Sequence, residues 1–398
     1  MTIPSLSVDI AIIGGGIAGL WALNQLRNQG YSAVLFEQQA LGSNQTIASQ
    51  GMIHGGIKYA LGGALNSGSE AISEMPALWR SCLRGEGPVD LRECRVLSEN
   101  FYLWSNASLQ SRVSSFFASK MLRGRVEKLE RPDYPEPLSS KQFKGQVYRL
   151  ADLVLDVPSL VKTLAERHSE AIFSIDWEHC QLGCDNAQAY LQWEGLKLEP
   201  KKLLLTAGAG NEALIQQLGA SSPAMQRRPL QQVLVKHEYP GPFYAHCSGA
   251  NPSPRLTISS HTTQTGEPLW YLGGDLATNN TDTPSEELIL KAQRELKELL
   301  PWLDLGHCEW RTLRLDRAEP RQSRLLKPDE AFLGPVAGVD NALVGWPTKL
   351  TLTPNLGSAI DKALLADGIT PGPSPELTQL NFLGRPALAA TYWDTLFQ

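Results

Sequence analysis

The stretch Val8–Glu37, VDIAIIGGGIAGLWALNQLRNQGYSAVLFE, limits the possible folds more than any other part of the chain. An apolar run, Val8 to Ile13, leads into the turn Gly14-x-Gly16-x-x-Gly19. Leu20, Leu23 and Leu26 then recur at helical spacing, Gly30 closes the helix, and a second apolar run ends at Glu37. Each part has a physical task. Gly14 permits the tight strand-to-helix turn, Gly16 lets backbone approach a pyrophosphate, and Gly19 lets the helix pack close to the strands. The helix start offers free N–H groups and positive dipole to phosphates. Glu37, about twenty residues downstream of the turn, stands where a carboxylate accepts hydrogen bonds from ribose hydroxyls. Strand, turn, helix, strand and acid in this order predict a dinucleotide site, with Gly14, Gly16, Ile17, Ala18, Gly19, Glu37 and Gln38 against the ligand.

The 398 residues suffice for two sub-domains with a sizeable core. A net charge of −5 supplies no general field for nucleic acid, and the basic stretches Lys120 to Arg131 and Arg311 to Arg324 read as solvated faces. The six cysteines are scattered without C-x-x-C spacing, which disfavours a disulfide framework, a zinc ribbon and a redox dithiol. Cys180-x-x-x-Cys184 has no second pair to complete a metal site. No run has transmembrane length, and the strand beginning at Val8 leaves no room for a signal peptide. The expected compartment is the cytoplasm, with a peripheral position at the inner face of a membrane as the alternative.

Residues 38–68, rich in Gly, Ser, Ala and Asn, have the composition of backbone wrapped around a ligand. Helices are expected at 69–84 and Ala107–Leu122, a strand at 94–104, and a helix starting near Asp156-Val-Pro158 with a strand at 171–175 after it. The run ending Leu203-Leu-Leu-Thr-Ala-Gly-Ala-Gly210 reads as strand, turn and helix start. Short alternating runs from 230 to 275 suggest an antiparallel sheet. Ser285 to Leu300 is amphipathic, with Ser285 as N-cap and Pro301 as stop. The dinucleotide-type pattern recurs at 150–220 and 330–370. The expected partition is a discontinuous cofactor domain (1–85, 146–222, 325–375), a substrate domain (86–145, 223–324) and a C-terminal tail (376–398).

These blocks resemble the FAD-dependent oxidoreductases that include D-amino-acid oxidase, glycine oxidase, sarcosine oxidase and FAD-linked glycerol-3-phosphate dehydrogenase. The resemblance rests on Gly14–Glu37, Asp156-Val-Pro158, Leu203 to Gly210, Tyr271-Leu-Gly-Gly274 and Gly345 to Asn355. It implies an α/β fold: a discontinuous Rossmann-like FAD-binding domain of glutathione-reductase type, with an α+β substrate domain built on an antiparallel sheet. It also implies cofactor contacts from Ser49, Gly51, Met52, Ala207, Gly208, Thr348, Lys349, Leu350 and Thr351. Two blocks resemble the glycerol-3-phosphate dehydrogenase branch. Ile53-His54-Gly55-Gly56-Ile57-Lys58-Tyr59 matches its I-H-G-G-L/I-R-Y, and Lys349-Leu350-Thr351 its G-K-L-T. Lys58 replaces the arginine of that motif and Pro347-Thr348 replaces two glycines, so flavin and fold transfer better than substrate. A single full fingerprint and no C-x-x-C favour FAD over a nicotinamide or dithiol system.

His54, bracketed by backbone that can lie against a flat ligand, has three readings: a structural histidine, a flavin or substrate contact, or a covalent flavin attachment point. A histidine suits proton removal from a substrate hydroxyl. A small anion needs a fixed cation, and the stretch Glu309 to Arg321 holds Arg311, Arg314, Arg317 and Arg321. The family's G-x-R position falls on Arg314. Alternation places Arg311, Leu313, Leu315 and Arg317 on one strand face and Thr312, Arg314 and Asp316 on the other, so Arg314 and Arg317 should not share the site. Lys58, Tyr59 and Lys349 complete the expected substrate contacts. The expected function is oxidation of a C–N or C–O bond in a small anionic substrate (amino acid, hydroxy acid or polyol phosphate) by hydride transfer to flavin N5. Electrons then pass to oxygen, a quinone or a carrier protein. Alternatives are a structural or sensing flavoprotein without turnover, and a flavin enzyme acting on modified tRNA.

Overall fold

The structure is a computed structural model describing residues 3–56, 67–106, 126–249, 251, 253–321 and 330–398. The expected helix Ala107–Leu122, Lys58 and Tyr59 lie outside the described residues. Strand Ser5–Ile13 is buried at every position from Val8 onward, the pattern of a strand covered on both faces in a parallel sheet. Ile13 pairs in register with Phe36 on one side and Leu205 on the other. Strand Leu196–Leu205 is long enough to serve two neighbours beyond Ser5–Ile13. Its first half closes an antiparallel hairpin with Gln188–Trp193, and its last three residues run parallel to Ala342–Trp346. Ala33–Glu37 continues the sheet to Ile172–Ser174. The carboxyl ends of four parallel strands, at Ile13, Glu37, Leu205 and Trp346, therefore meet at one edge, where open α/β sheets bind their ligands.

Helix Ile17–Asn28 packs on one face with helices Val157–Arg167 and Thr353–Ala366. Asp156 caps the middle one, accepting from Ser159 N at 3.1 Å, with Pro158 in its first turn. A second eight-stranded sheet runs in the order Glu309–Pro320, Met225–Lys236, Pro268–Gly273, Leu256–Thr262, Ala245–Cys247, Phe101–Ser105, Gln146–Leu150 and Val126–Lys128. It departs from the antiparallel expectation once, where Ala245–Cys247 pairs parallel to Phe101–Ser105. The strand expected at 94–104 is broken into Val96–Ser98 and Phe101–Ser105, which join different sheets. Helix Ser285–Leu299 packs Leu288, Ala292 and Leu296 against Val233, Val235 and Trp270 on one face of this sheet. Its N-cap is Pro284 rather than Ser285, whose hydroxyl instead accepts from Thr312 Oγ1 at 2.8 Å.

The opposite face of that sheet, with Leu234, Leu269, Tyr271 and Leu313, packs against Ala48 and Trp393. Residues 376–398 are packed onto both halves. Leu380 is buried, Leu388 bridges to Leu41, and Trp393 stacks on His261 with ring centres 4.6 Å apart.

Candidate functional site

A cavity of 870 Å³ opens beyond the converging strand ends, between the parallel sheet and the Leu234–Tyr271 face of the second sheet. One wall is the glycine turn. Gly14 has φ of +108°, and a Cβ there would lie 2.5 Å from Ala207 Cα. A Cβ on Gly19 would lie 1.9 Å from the Gly14 carbonyl oxygen. Protein itself thus demands both glycines. Gly16 differs: its Cβ would meet only Thr46 Oγ1, at 3.2 Å, so the space before it belongs to whatever fills the cavity. The adjacent helix has no acidic residue in its first turn, which leaves its positive end uncompensated by its own side chains. Glu37, 9% exposed, accepts from Gly15 N at 2.6 Å and Gln39 N at 2.7 Å while lining the cavity. The carboxylate braces the turn, and its remaining lone pairs can still accept hydroxyls. These features fit a dinucleotide.

Of the residues expected against the cofactor, Gly14, Gly16, Ile17, Ala18, Glu37, Gln38, Ser49, Met52, Ala207, Gly208, Thr348, Lys349, Leu350 and Thr351 line the cavity. Two do not. Gly19 packs on the turn, and Gly51, with φ of +72°, sits where a Cβ would lie 2.0 Å from the Leu155 carbonyl oxygen. Both hold the protein together behind the wall. The segment before Lys349 carries a local cost, because Thr348 lines the cavity with φ of +61°, a left-handed conformation unfavourable for a β-branched residue.

His54 is 7% exposed and lines the cavity. Its backbone is tied to Thr351, whose Oγ1 lies 3.2 Å from both His54 N and His54 O. Two expected site segments 297 residues apart are thereby pinned together.

Arg314 lines the cavity, as expected of a substrate contact, but its guanidinium is engaged elsewhere. Its side chain is 56% exposed, and it donates to the Thr281 carbonyl at 2.8 Å and faces Asp282 at 3.4 Å. Its strand neighbour Thr312 bonds Ser285 on the helix-covered side. Residues directly opposite in an antiparallel ladder share a face. Leu313 stands opposite Gln232, Leu315 opposite Leu230 and Arg317 opposite Arg228. Leu230, Gln232, Leu315 and Arg317 all line the cavity. Arg317 thus shares the strand face of Leu315, Leu230 and Gln232, whereas Arg314, which also borders the cavity, has its guanidinium on Thr281 and Asp282.

Sequence reasoning missed Gln45, Thr46, Gln50, Trp177, Gln232 and Tyr392, which also line the cavity. Thr46 Oγ1 accepts from Ile17 N at 3.0 Å, fixing the helix start. Among the described residues no cluster of His, Cys, Asp or Glu can hold a metal ion, and no helix is long and apolar enough to cross a membrane.

Comparison with known proteins agrees with this geometry. The chain is 48% identical over 395 residues, 99% of each chain, to a probable FAD-dependent oxidoreductase of Pseudomonas aeruginosa, PA4991. The crystal structure of PA4991 superposes with a TM-score of 0.86 at 43% identity, covering 100% of both chains. Glycine oxidase from Geobacillus kaustophilus shares the fold at 16% identity, with a TM-score of 0.66 covering 94% of this chain and 98% of that one. An FAD-bound L-alpha-glycerophosphate oxidase from Mycoplasma pneumoniae does so at 14% identity and a TM-score of 0.66, covering 97% and 100%. The family model for FAD dependent oxidoreductases (DAO) matches residues 9–338, and the chain belongs to that family.

Proposed function

We propose that this FAD-dependent oxidoreductase oxidises a C–N or C–O bond of a small anionic substrate held in the cavity described above. The observation that carries the reading is that Arg317 and Lys349 line the same cavity as the glycine turn and the buried His54. In this reading Gly16, Ile17 and Ala18 take the pyrophosphate, Glu37 and Gln38 the ribose, and Trp177 the adenine end. Ala207, Gly208 and the 348–351 segment flank the rest of the cofactor. The family relationship extends the reading outward: residues 1–85, 146–222 and 325–375 serve the cofactor, and 86–145 and 223–324 the substrate. When bound, FAD supplies the two-electron acceptor for the substrate's C–H bond.

The protein's part is placement and proton handling. Arg317 offers a planar fork that orients a carboxylate or phosphate. Lys349 adds a second positive charge from the 348–351 segment. His54 is the group positioned to take the proton of a substrate hydroxyl, whereas a neutral amine needs no base. Tyr392 and the packed segment around it narrow the cavity from the C-terminal side. Oxygen, a quinone or a carrier protein then reoxidises the enzyme.

The test is anaerobic bleaching of the purified holoprotein by amino acids, N-methyl amino acids, hydroxy acids and polyol phosphates. Bleaching by a member carrying an anion, and not by its neutral amide or alcohol counterpart, supports the proposal. Bleaching confined to neutral compounds would refute it.

A further inference from the structure

Two glutamines on the cavity wall are held from behind by Tyr271. Gln50 donates through Nε2 to the Tyr271 carbonyl at 2.7 Å and to Ser259 Oγ at 3.1 Å. A backbone carbonyl can only accept, so Gln50 cannot be turned over, and its Oε1 is left as an acceptor. The Tyr271 hydroxyl reaches two acceptors, Gln232 Oε1 at 2.8 Å and the Ala48 carbonyl at 3.1 Å; with the proton on the shorter contact, Gln232 Nε2 is left as a donor. The two remaining atoms converge on one spot. A Cβ on Gly273 would lie 3.1 Å from Gln50 Oε1 and 3.7 Å from Gln232 Nε2. Gln232 is only 3% exposed and Gln50 half-buried, both line the cavity, and these two atoms open onto it. A ligand that fills the cavity and excludes water without pairing them leaves both atoms unsatisfied, which is costly.

The support behind the pair is buried. Ser259 Oγ lies 3.0 Å from His261 Nε2, and His261 stacks on Trp393. Burial holds the His261 imidazole neutral, its pKa pushed down to about 4. Such a network orients side chains only when every inner partner is satisfied.

We propose that Gln50 and Gln232 form a donor–acceptor subsite for an uncharged substrate group that both donates and accepts: a hydroxyl or a neutral amine nitrogen. A carboxylate placed there would face the Gln50 acceptor, and an ammonium would face the Gln232 donor. The anion therefore belongs at Arg317 and Lys349, with the reactive heteroatom at the glutamines. This rests on the cavity being the substrate site. Tyr271 and Ser259 are positioning residues that act through the two amides. A site built to hydrogen-bond a hydroxyl discriminates strongly against the analogue that lacks it, because its own polar atoms are then left unpaired.

The experiment uses the holoprotein and a matched series: propionate, lactate, alanine, 1-propanol and 1,2-propanediol. Binding is read by perturbation of the flavin spectrum and by thermal midpoint, without turnover. Lactate should bind at least about tenfold tighter than propionate, and the diol tighter than the alcohol, from the cost of unpaired buried amides. Gln232→Glu replaces the donor by an acceptor and should abolish that preference with FAD content unchanged. Tyr271→Phe keeps both glutamines but frees Gln232 to turn, and should reduce the preference severalfold. Equal responses across the series, absence of response included, overturn the proposal. So does survival of the preference in both variants. A preference for alanine over lactate at neutral pH would also overturn it, since that requires two acceptors, with Gln232 reversed and the Tyr271 proton on the Ala48 carbonyl 3.1 Å away. Equal binding of lactate and the diol, with the hydroxyl increment intact, would instead refute the anionic substrate and leave the subsite standing.

Discussion

Gly16 and Gly19 sit three residues apart in one turn, yet the structure gives them opposite reasons for being glycine, and alanine at each separates the two. Gly16 is the N-cap of helix Ile17–Asn28 at φ −73° and ψ −175°, extended backbone that any residue adopts. Its added Cβ would meet only Thr46 Oγ1, at 3.2 Å. The cost to the empty protein is that of alanine for glycine at an N-cap, about 1 kcal/mol. The cost to cofactor binding is much larger, because the methyl group stands where the pyrophosphate must lie against backbone; a comparable overpacking penalty of about 1–3 kcal/mol lowers FAD affinity roughly 5- to 150-fold. Gly19→Ala inverts the pattern. Its Cβ would lie 1.9 Å from the Gly14 carbonyl oxygen and 2.8 Å from Thr206 Oγ1. Turn and helix must separate even without cofactor, so at least about 2–3 kcal/mol of apoprotein stability is lost. The assay pairs apoprotein unfolding, followed by tryptophan fluorescence, with FAD titration of whatever remains folded. Gly16→Ala binding FAD as tightly as wild type, or unfolding as readily as Gly19→Ala, would show that the cofactor does not approach the turn as argued.

Arg317→Leu should weaken protection of the holoprotein by simple carboxylates by at least about 2 kcal/mol, as for a truncated buried charge pair. Arg314→Leu should leave that protection unchanged, and anion-dependent thermal shifts of both variants decide. Thr348→Gly should stabilise the apoprotein by roughly 0.5–1 kcal/mol, the relief of a left-handed threonine offset by the added freedom of the unfolded chain; a lower unfolding midpoint would contradict the conformational argument. His261, held neutral by burial with a pKa of about 4, binds its proton in the unfolded chain first. Its contribution is complete above the ordinary histidine pKa near 6.5 and is lost as pH falls from there toward 4, with a slope up to about 1.4 kcal/mol per pH unit. Subtracting the pH–stability curve of His261→Gln from that of wild type should isolate this acid limb, and parallel curves would count against it.

Much of the fold was legible because its strongest signals are local. The turn Gly14-x-Gly16-x-x-Gly19 states its strand, its helix and its ligand within thirty residues, and Asp156-Val-Pro158 announces a helix start with a cap and a proline. The placement of the arginines was only half legible. Alternation separated Arg314 from Arg317, but which of them shares the face of Leu230 and Gln232 depends on the pairing of Glu309–Pro320 with Met225–Lys236, and nothing in the strand's own residues records that phase. The glutamine pair was not legible at all. Gln50 and Gln232 belong to no motif, and they meet through Tyr271, 221 residues from Gln50 in the chain. Gly19 and Gly51 were legible as important positions, and only packing showed that their neighbours are protein.

The interleaving of the parallel sheet also bears on how the molecule comes into being. Ser5–Ile13 has Leu196–Leu205 as an immediate neighbour, and that strand in turn takes Ala342–Trp346. A nascent chain that has emerged only as far as the glycine turn thus displays a nucleotide-binding loop with half its walls missing. Loop closures of this span are slow to form and leave strand edges exposed meanwhile. The last of these strands is complete only at Trp346, after the whole second sheet has been synthesised, so cofactor capture should come late in synthesis. An N-terminal fragment carrying the complete fingerprint would not retain FAD, and free FAD supplied during refolding should speed the final docking of the two sheets rather than their initial formation.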